Sequence, residues 1–320
     1  MGAPARWSPD ELVAPDASTR LGELRGWPCV VIDASADERP IPAGLPAVII
    51  ALVEDHTSVE AADVVVGTDD ELADVVAAVT ASPRASVVLA QLLRLQRRLS
   101  PIDALAAESF AYATLQGGHE FARWLGSRGA RVRNSDPTAR VRVDFADGGQ
   151  TAIVTLDRPR LFNLYDAAMR DALVEAMSVM VADVTVSRVE LRGAGKSFCA
   201  GGDPAEFGTT HDTALAHLVR CTANVAPLML AAAPKLHAFV HGAAVGAGCE
   251  LAAFASHVTA TSDATLSLPE VSMGLIPGAG GTVSVTNRIG RHRAAWMALT
   301  GAHVDAATAL KWGLIDAIGC

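Results

Sequence analysis

From residue 141 onward, short apolar runs alternate with helical segments, and this alternation constrains the fold more than any other feature of the chain. The runs ARVRVDF and TAIVTLD flank Asp147-Gly148-Gly149, a spacing typical of a β-hairpin. An amphipathic helix is predicted over 166–183, and the strand RVELRG follows it. Further strands are predicted in KLHAFVHG, HVTATSD and TLSLPE, and further helices over 246–255, 280–289, 292–300 and 305–312. This order predicts an α/β fold of stacked ββα units.

The front of the chain has a different pattern. Residues 1–26 are interpreted as a loose lead-in, and 27–66 hold three β-branched runs that predict short buried strands. Helical periodicity then begins at 69 and continues through three further segments that are separated by prolines and a Gly-Gly pair, at 83–99, 101–116 and 118–128. The polar stretch 131–140 is the best linker. The predicted organisation is a lead-in 1–26, a strand-plus-helical region 27–130, a linker 131–140 and a core 141–320.

Composition excludes several classes of function. The chain has 320 residues, half of them hydrophobic, and a net charge of −9, which argues against nucleic acid as a partner. The N-terminus lacks the apolar segment of a signal peptide, and apolar runs such as 43–55 are too short to cross a bilayer. The five cysteines form no CxxC pair and no ligand cluster, a pattern that indicates reduced thiols in a cytoplasm. We therefore expect a cytoplasmic protein with neither a metal site nor a membrane partner.

Two glycine-rich turns follow predicted strands, in SFCAGGDPAEF (197–207) and VHGAAVGAGCEL (240–251). The nearby GAGKS does not complete a phosphate-binding loop, because Glu190 stands where the first glycine is required, and no cluster fits the dinucleotide pattern GxGxxG. Each turn alone is most simply a tight turn or a close packing contact. Together they could supply two backbone N–H groups from separate loops, as an oxyanion hole requires.

Two carboxylates accompany these turns. Glu250 lies among small and apolar neighbours in VGAGCELAAF, where a charged group is costly unless it is paired, protonated or functional. Glu270 follows Pro269 at a predicted strand-to-loop change; taken alone, it would most simply be a surface carboxylate. As a pair, Glu250 and Glu270 are candidates for acid–base chemistry.

These pieces together resemble the crotonase (enoyl-CoA hydratase/isomerase) superfamily. The resemblance covers 140–318 and rests on the segments DRPRLFN, GAGKSFCAGGD, 240–282 and ALKWGLID. It implies a spiral of ββα units with a flanking helical region. It also implies that the amides of Gly202 and Ala247 hold the thioester oxygen, and that Glu250 and Glu270 are the two glutamates of the family's hydratases.

The activity implied by the resemblance is addition of water to a 2-enoyl-CoA to give a 3-hydroxyacyl-CoA. No cofactor is expected, since coenzyme A belongs to the substrate; the expected partners are the acyl-CoA thioester and further copies of the chain, in a trimer or hexamer. Two alternatives stay open: another crotonase-type enzyme (a double-bond isomerase or a thioester or C–C hydrolase), and a non-catalytic acyl-CoA binder. The further positions that the resemblance assigns to substrate binding are Ala200, Asp203, Pro269 and Gly278.

Segment 63–129 resembles the C-terminal part of a crotonase moved to the front of the chain; an unrelated helical domain is the alternative. If the resemblance holds, the apolar faces of its helices should pack on the core or on a neighbouring subunit, and Ile318 should lie near 63–68. The residues predicted to be buried are Leu92, Leu95, Leu105, Phe110, Leu115, Phe121 and Trp124.

Overall fold

The computed structural model describes residues 4–23, 28–32, 39–53, 59–129 and 139–319. These residues form three sheets, with helices packed around them, and the α/β class predicted from the sequence is confirmed. The predicted linker 131–140 lies outside the described residues except for its last two positions.

The front sheet has four parallel strands in the order β1-β2-β3-β4. The strands are β1 (Ala5–Trp7), β2 (Cys29–Ile32), β3 (Val48–Leu52) and β4 (Val64–Val66). Alternate residues point to opposite faces, so Val48 and Ile50 enter the main hydrophobic core while Ile49 packs in a second, smaller one. Burial on both faces accounts for the continuous apolar runs that predicted β2, β3 and β4.

The interpretation of 1–26 as a loose lead-in is wrong for the described residues 4–23. This segment contributes the edge strand β1 and two helices, α1 (Pro9–Val13) and α2 (Ala17–Glu23). Ser8 and Glu11 form a reciprocal capping box at the start of α1, and the side chains of Trp7 and Leu12 are buried in the smaller core. A three-residue strand has no detectable alternation, so the pattern could not reveal it.

Four helices follow the front sheet, close to their predicted bounds: α3 (Asp69–Ala81), α4 (Pro83–Gln96), α5 (Pro101–Gln116) and α6 (His119–Ser127). Thr68 and Ser100 cap α3 and α5, and prolines occupy the first turns of α4 and α5, where their missing N–H is not needed. Most of the predicted buried set is confirmed, and Trp124 is partly buried. Leu95 and Phe110 are exposed, which corrects the prediction for these two residues.

The core sheet has six strands in the order β13-β10-β8-β7-β6-β5, all parallel except the β5–β6 hairpin, which the sequence predicted. A separate sheet has the order β12-β11-β9. The strands are β5 (Val141–Ala146), β6 (Thr151–Leu156), β7 (Arg188–Gly193), β8 (Leu236–Val240), β9 (Ala243–Val245), β10 (His257–Ala260), β11 (Thr265–Ser267), β12 (Val304–Asp305) and β13 (Ala317–Ile318).

Six helices accompany these two sheets: α7 (Ala167–Ala182), α8 (Thr213–Thr222), α9 (Ala226–Ala232), α10 (Ala247–Ala252), α11 (Gly281–Thr300) and α12 (Ala306–Trp312). The helix α11 is interrupted at Gly290, whose φ of 76° and ψ of 161° are not helical. The two helices predicted over 280–289 and 292–300 are therefore the two halves of one kinked helix. Ile318 in β13 pairs with β10, whereas β4 is at the edge of the front sheet; the two strands belong to different sheets.

Polar contacts stabilise the front region (residues 27–130) internally and also connect it to the core (141–320). Asp63, just before β4, forms a fully buried ion pair with Arg94 of α4 and also accepts from the N–H of Ile49 at 2.8 Å. On the core side, Arg291 donates to the carbonyl oxygen of Glu60 at 2.8 Å. Because α3, α4 and β4 also pack against α11, the front sheet and the core share one continuous apolar interior.

One apolar stretch exceeds what the sequence led us to expect. Thr213–Lys235, which comprises α8, α9 and a short 3₁₀ turn, has the length and hydropathy of a membrane span, and only 22% of its most apolar window is buried. Core helices of soluble proteins can meet the same criteria. The expectation that no apolar run is long enough to cross a bilayer therefore does not hold for this stretch.

Candidate active site

The two glycine-rich turns predicted from the sequence lie side by side. The N–H of Val245 donates to the carbonyl oxygen of Cys199 at 2.9 Å, and the N–H of Cys199 donates to that of Ala243 at 3.1 Å. A Cβ on Gly246 would come within 3.9 Å of the Cα of Gly201. Gly246, directly after β9, therefore lies next to Gly201 in the turn at 199–202.

The amides of Gly202 and Ala247 belong to these two turns. Neither N–H donates a hydrogen bond to an acceptor within the described ranges. Ala247 is the first residue of α10, and the first N–H groups of a helix have no acceptor inside it. Two unused N–H groups on adjacent turns are the components from which an oxyanion hole is built.

Glu250 projects from α10 and is almost fully buried. Its Oε2 accepts from the N–H groups of Ala279 and Gly281, both at 2.7 Å. Burial raises the pKa of Glu250 to about 7, and the backbone donors oppose this rise. Gly281 has to be a glycine because a Cβ there would overlap the Glu250 side chain. At neutral pH this carboxyl can either accept or release a proton.

Glu270 begins the 3₁₀ turn Glu270–Met273 after β11. Its Oε2 is buried and has no hydrogen-bond partner among the described residues, while Oε1 lies so close to Gly246 that a Cβ there would overlap it. Burial, and then the charge of Glu250, raise the pKa of Glu270 well above its usual value. The structure therefore brings both predicted glutamates to the glycine turns, and Glu270 favours its protonated form.

A third buried glutamate, which the sequence analysis missed, adjoins this pair. Glu108 of α5 accepts from the N–H groups of Gly280 at 2.8 Å and Thr282 at 3.0 Å, and from the hydroxyl of Thr282 at 2.5 Å. Burial, followed by the charge of Glu250, raises the pKa of Glu108 to about 8. A glutamate inside the apolar run ALAAESFAYA is the same signal that singled out Glu250.

An aromatic ring and a guanidinium, also missed, lie next to the loop that carries Gly278. The ring of Tyr112, one turn after Glu108 on α5, packs so closely on Gly278 that a Cβ there would overlap it. Arg220 of α8 stacks on the same ring, with its Cζ 4.0 Å from the centroid of Tyr112. Nothing in the local sequence signals this pairing, because the two residues come from separate parts of the chain.

The four other predicted binding positions lie around the same turns. Ala200 donates its N–H to the carbonyl oxygen of Phe162 at 3.0 Å, and Pro269 directly precedes the turn of Glu270. Both carboxylate oxygens of Asp203 already accept hydrogen bonds from the protein: Oδ2 from Arg158 at 2.6 Å and Oδ1 from the N–H of Ala205 at 2.9 Å. This ion pair favours a structural role for Asp203. Gly278 lies against Tyr112, as described above.

Comparison with known proteins is consistent with this geometry. The family model described as enoyl-CoA hydratase/isomerase matches residues 148–319. A probable enoyl-CoA hydratase of Rhizobium meliloti is 34% identical over 53% of this chain and 65% of its own length, and a 2,3-dehydroadipyl-CoA hydratase of Escherichia coli is 33% identical over 51% and 64%.

Solved structures show the same fold for the same part of the chain. A putative enoyl-CoA hydratase/isomerase from Mycobacterium abscessus superposes with a TM-score of 0.51 and 31% identity, over 56% of this chain and 70% of that one. A putative enoyl-CoA hydratase from Thermobifida fusca in complex with acetoacetyl-CoA has a TM-score of 0.51 and 25% identity, over 56% and 73%.

The alignments leave part of this chain and part of each relative unmatched. The chain spans just under two thirds of the length of the first curated relatives, and its own first 147 residues lie outside the match to the family model. Even so, the family model matches more than half of the chain, through both glycine turns and both glutamates. The chain belongs to the enoyl-CoA hydratase/isomerase family.

Proposed function

We propose that the protein is an enoyl-CoA hydratase that adds water across the 2,3 double bond of a 2-enoyl-CoA thioester. The observation that carries this proposal is the pair Glu250 and Glu270, both buried and both raised in pKa, beside two glycine turns with unused N–H groups. Several curated relatives are named as enoyl-CoA hydratases, which supports the same activity.

In the proposed reaction the amides of Gly202 and Ala247 donate to the thioester oxygen and stabilise the enolate that forms. Glu250, with a pKa near neutrality, takes a proton from a water molecule while the water oxygen attacks C3. Glu270, which favours its protonated form, donates a proton to C2. The atoms of one water are thus added to the substrate, and one proton transfer between the two carboxyls restores the starting state.

The test is to follow the loss of the enoyl absorbance of crotonyl-CoA and to identify the product. Formation of 3-hydroxybutyryl-CoA supports the proposal. Movement of the double bond in a 3-enoyl-CoA without hydration, or release of free coenzyme A, would identify the isomerase or hydrolase alternative. Binding of the thioester without any turnover would identify a non-catalytic acyl-CoA binder. Matched acyl-carrier-protein thioesters should be tested in parallel.

We further propose that 63–129 takes the place of the C-terminal helices of the family. The support is that α5 and α6 contact the catalytic loops: Glu108 binds the loop of Gly280, and Gly274 packs against Glu120 and Phe121. A reordered chain, with 63–129 moved by a flexible linker to follow residue 320, tests this. Retained folding and hydratase activity supports the relocation, whereas loss of both contradicts it.

Exposed apolar side chains on α5 and α8 bear on the assembly of the protein. Leu215 and Leu218 of α8 and Phe110 of α5 are more than half exposed. Exposed apolar residues of this kind are typical of surfaces that become buried in an oligomer, so we propose a homo-oligomer, a trimer or a hexamer. The cysteines, which form no CxxC pair, support a cytoplasmic location. Light scattering coupled to size-exclusion chromatography measures the assembly; a monomer at micromolar concentration contradicts it.

A further inference from the structure

Arg220 lies between two helices, close to the Tyr112 ring that packs on Gly278. It projects from α8 toward α5, where Nη2 donates to Oε1 of Gln116 at 2.8 Å and the guanidinium stacks on the ring of Tyr112. An arginine needs five hydrogen-bond acceptors or water to satisfy its donors, and stacking on a ring satisfies none of them. The position is therefore rigid, but the guanidinium is only partly satisfied.

The remaining polar edge of this guanidinium is buried and unused. Nη1 of Arg220 has essentially no exposed surface and no hydrogen-bond partner among the described residues. Arg220 interacts electrostatically with the Tyr112 hydroxyl and then with Glu108, whose oxygens already accept three hydrogen bonds from 280–282. A buried donor without an acceptor is costly, so an external anion that accepts from Nη1 would bind here favourably.

The location of this edge indicates what the anion belongs to. Tyr112 is close enough to Arg220 and to the catalytic carboxyls that the charges of Arg220, Glu270 and Glu250 all act on its hydroxyl. Because the ring also packs on Gly278, a group that extends from the reacting carbons along Tyr112 would end at Arg220. A guanidinium recognises a carboxylate through two parallel hydrogen bonds.

We propose that Arg220 binds a carboxylate at the far end of the acyl chain, so that the substrate is the 2-enoyl thioester of a short dicarboxylic acid. The inference rests on the proposed hydratase function and names its substrate class. A methyl-ended chain would leave Nη1 unpaired in the complex, whereas a carboxylate-ended chain pairs it. Selectivity should therefore depend on the charge at the chain end more than on its length.

The experiment compares kcat/KM for three coenzyme A thioesters of equal chain length: 2-hexenoyl, 2-hexenedioyl and the methyl ester of 2-hexenedioyl. The wild-type protein should prefer the free dicarboxylate. Arg220→Gln should lower kcat/KM for the dicarboxylate by roughly 10- to 100-fold and change the other two less than about threefold, as expected for one charged hydrogen-bonded contact. Arg220→Lys should restore part of the preference. The matched control is Arg192→Gln, because Arg192 also stacks on a ring, that of Phe239, at 4.3 Å.

If Arg220→Gln lowers kcat/KM equally for all three thioesters, Arg220 is a structural link between α5 and α8 and the proposal is overturned. A wild-type preference for 2-hexenoyl-CoA would also overturn it. If the wild-type protein hydrates none of them, the hydratase function fails by itself, and binding then decides the inference. Calorimetry with the saturated adipyl-CoA and hexanoyl-CoA would still show tighter binding of adipyl-CoA that Arg220→Gln abolishes; equal binding of the two would refute the carboxylate site.

Discussion

Glu108 and Glu250 accept hydrogen bonds from alternate backbone N–H groups of the segment 279–282. Glu250 accepts from Ala279 and Gly281, and Glu108 accepts from Gly280 and Thr282, at distances of 2.7 to 3.0 Å. The two residues come from different regions of the chain, since Glu108 lies on α5 and Glu250 on α10. The conformation of the loop that supports Glu250 therefore depends on a helix of the front region.

We expect Glu108→Ala to destabilise the fold strongly. The substitution leaves two backbone N–H groups and the Thr282 hydroxyl buried without their acceptor, and each buried donor left without a partner costs about 1–3 kcal/mol. Chemical denaturation measures the free energy of unfolding. Glu175→Ala, at an exposed helical position, is the matched control and should change little. A loss below about 1 kcal/mol for Glu108→Ala would show that the loop does not depend on α5.

The free energy of unfolding should fall as the pH rises from about 5 to about 8. Glu108 and Glu250 have pKa values of about 8 and about 7 in the folded chain, above the ordinary value of 4.5, so the folded state binds more protons than the unfolded state across this interval. Their contribution is complete below pH 4.5 and is lost as the pH passes their folded values. Glu108→Gln cannot titrate, so its unfolding energy should depend less on pH than that of the wild type; parallel curves for the two proteins would refute the assignment.

Asp63→Ala tests whether the front region is built around its buried ion pair. The variant leaves Arg94 buried and unpaired, and removal of one partner of a buried pair costs about 3–5 kcal/mol. Asp10→Ala is the matched control, because Asp10 pairs with Arg39 at 2.7 Å on an exposed surface. Equal unfolding energies for the two variants would indicate that the Asp63 pair is not an essential part of the fold.

Gly202→Pro removes one proposed oxyanion donor, since proline has no N–H. Loss of a single such donor lowers kcat by roughly 10²- to 10³-fold. Circular dichroism and binding of a saturated thioester establish that the variant is folded and still binds its ligand. A folded, binding-competent variant with wild-type turnover would exclude Gly202 from the site.

The core and the two glutamates could be predicted from the sequence because their signals are local. The β5–β6 hairpin, the strand β7 and the turns at 201–202 and 246–248 are each formed by one short continuous segment, so periodicity and glycine spacing reveal them. The resemblance of the whole set then assigned Glu250 and Glu270. The strand β1 could not be predicted, because its three residues acquire their structure by pairing with β2.

The rest of the site depends on contacts between distant parts of the chain. Glu108 and Gly280 are 172 residues apart in sequence, and Tyr112 meets Arg220 from another helix. A pattern on one helix does not specify its neighbour. Phe110 shows the same limit: it has helical spacing with buried residues, yet it is exposed and stacks on His217 at the surface, with ring centroids 4.0 Å apart.

The most direct test of the account is the rate of crotonyl-CoA hydration by Glu270→Gln compared with the wild type and with Glu175→Gln. The amide keeps the shape of Glu270 but cannot donate the proton to C2, so the rate should fall by roughly 10²- to 10⁴-fold while saturated butyryl-CoA still binds. The Glu175→Gln control should hydrate at the wild-type rate, because this exposed residue on α7 belongs to no part of the proposed site. A Glu270→Gln variant that also hydrates crotonyl-CoA at the wild-type rate would contradict the two-carboxylate mechanism.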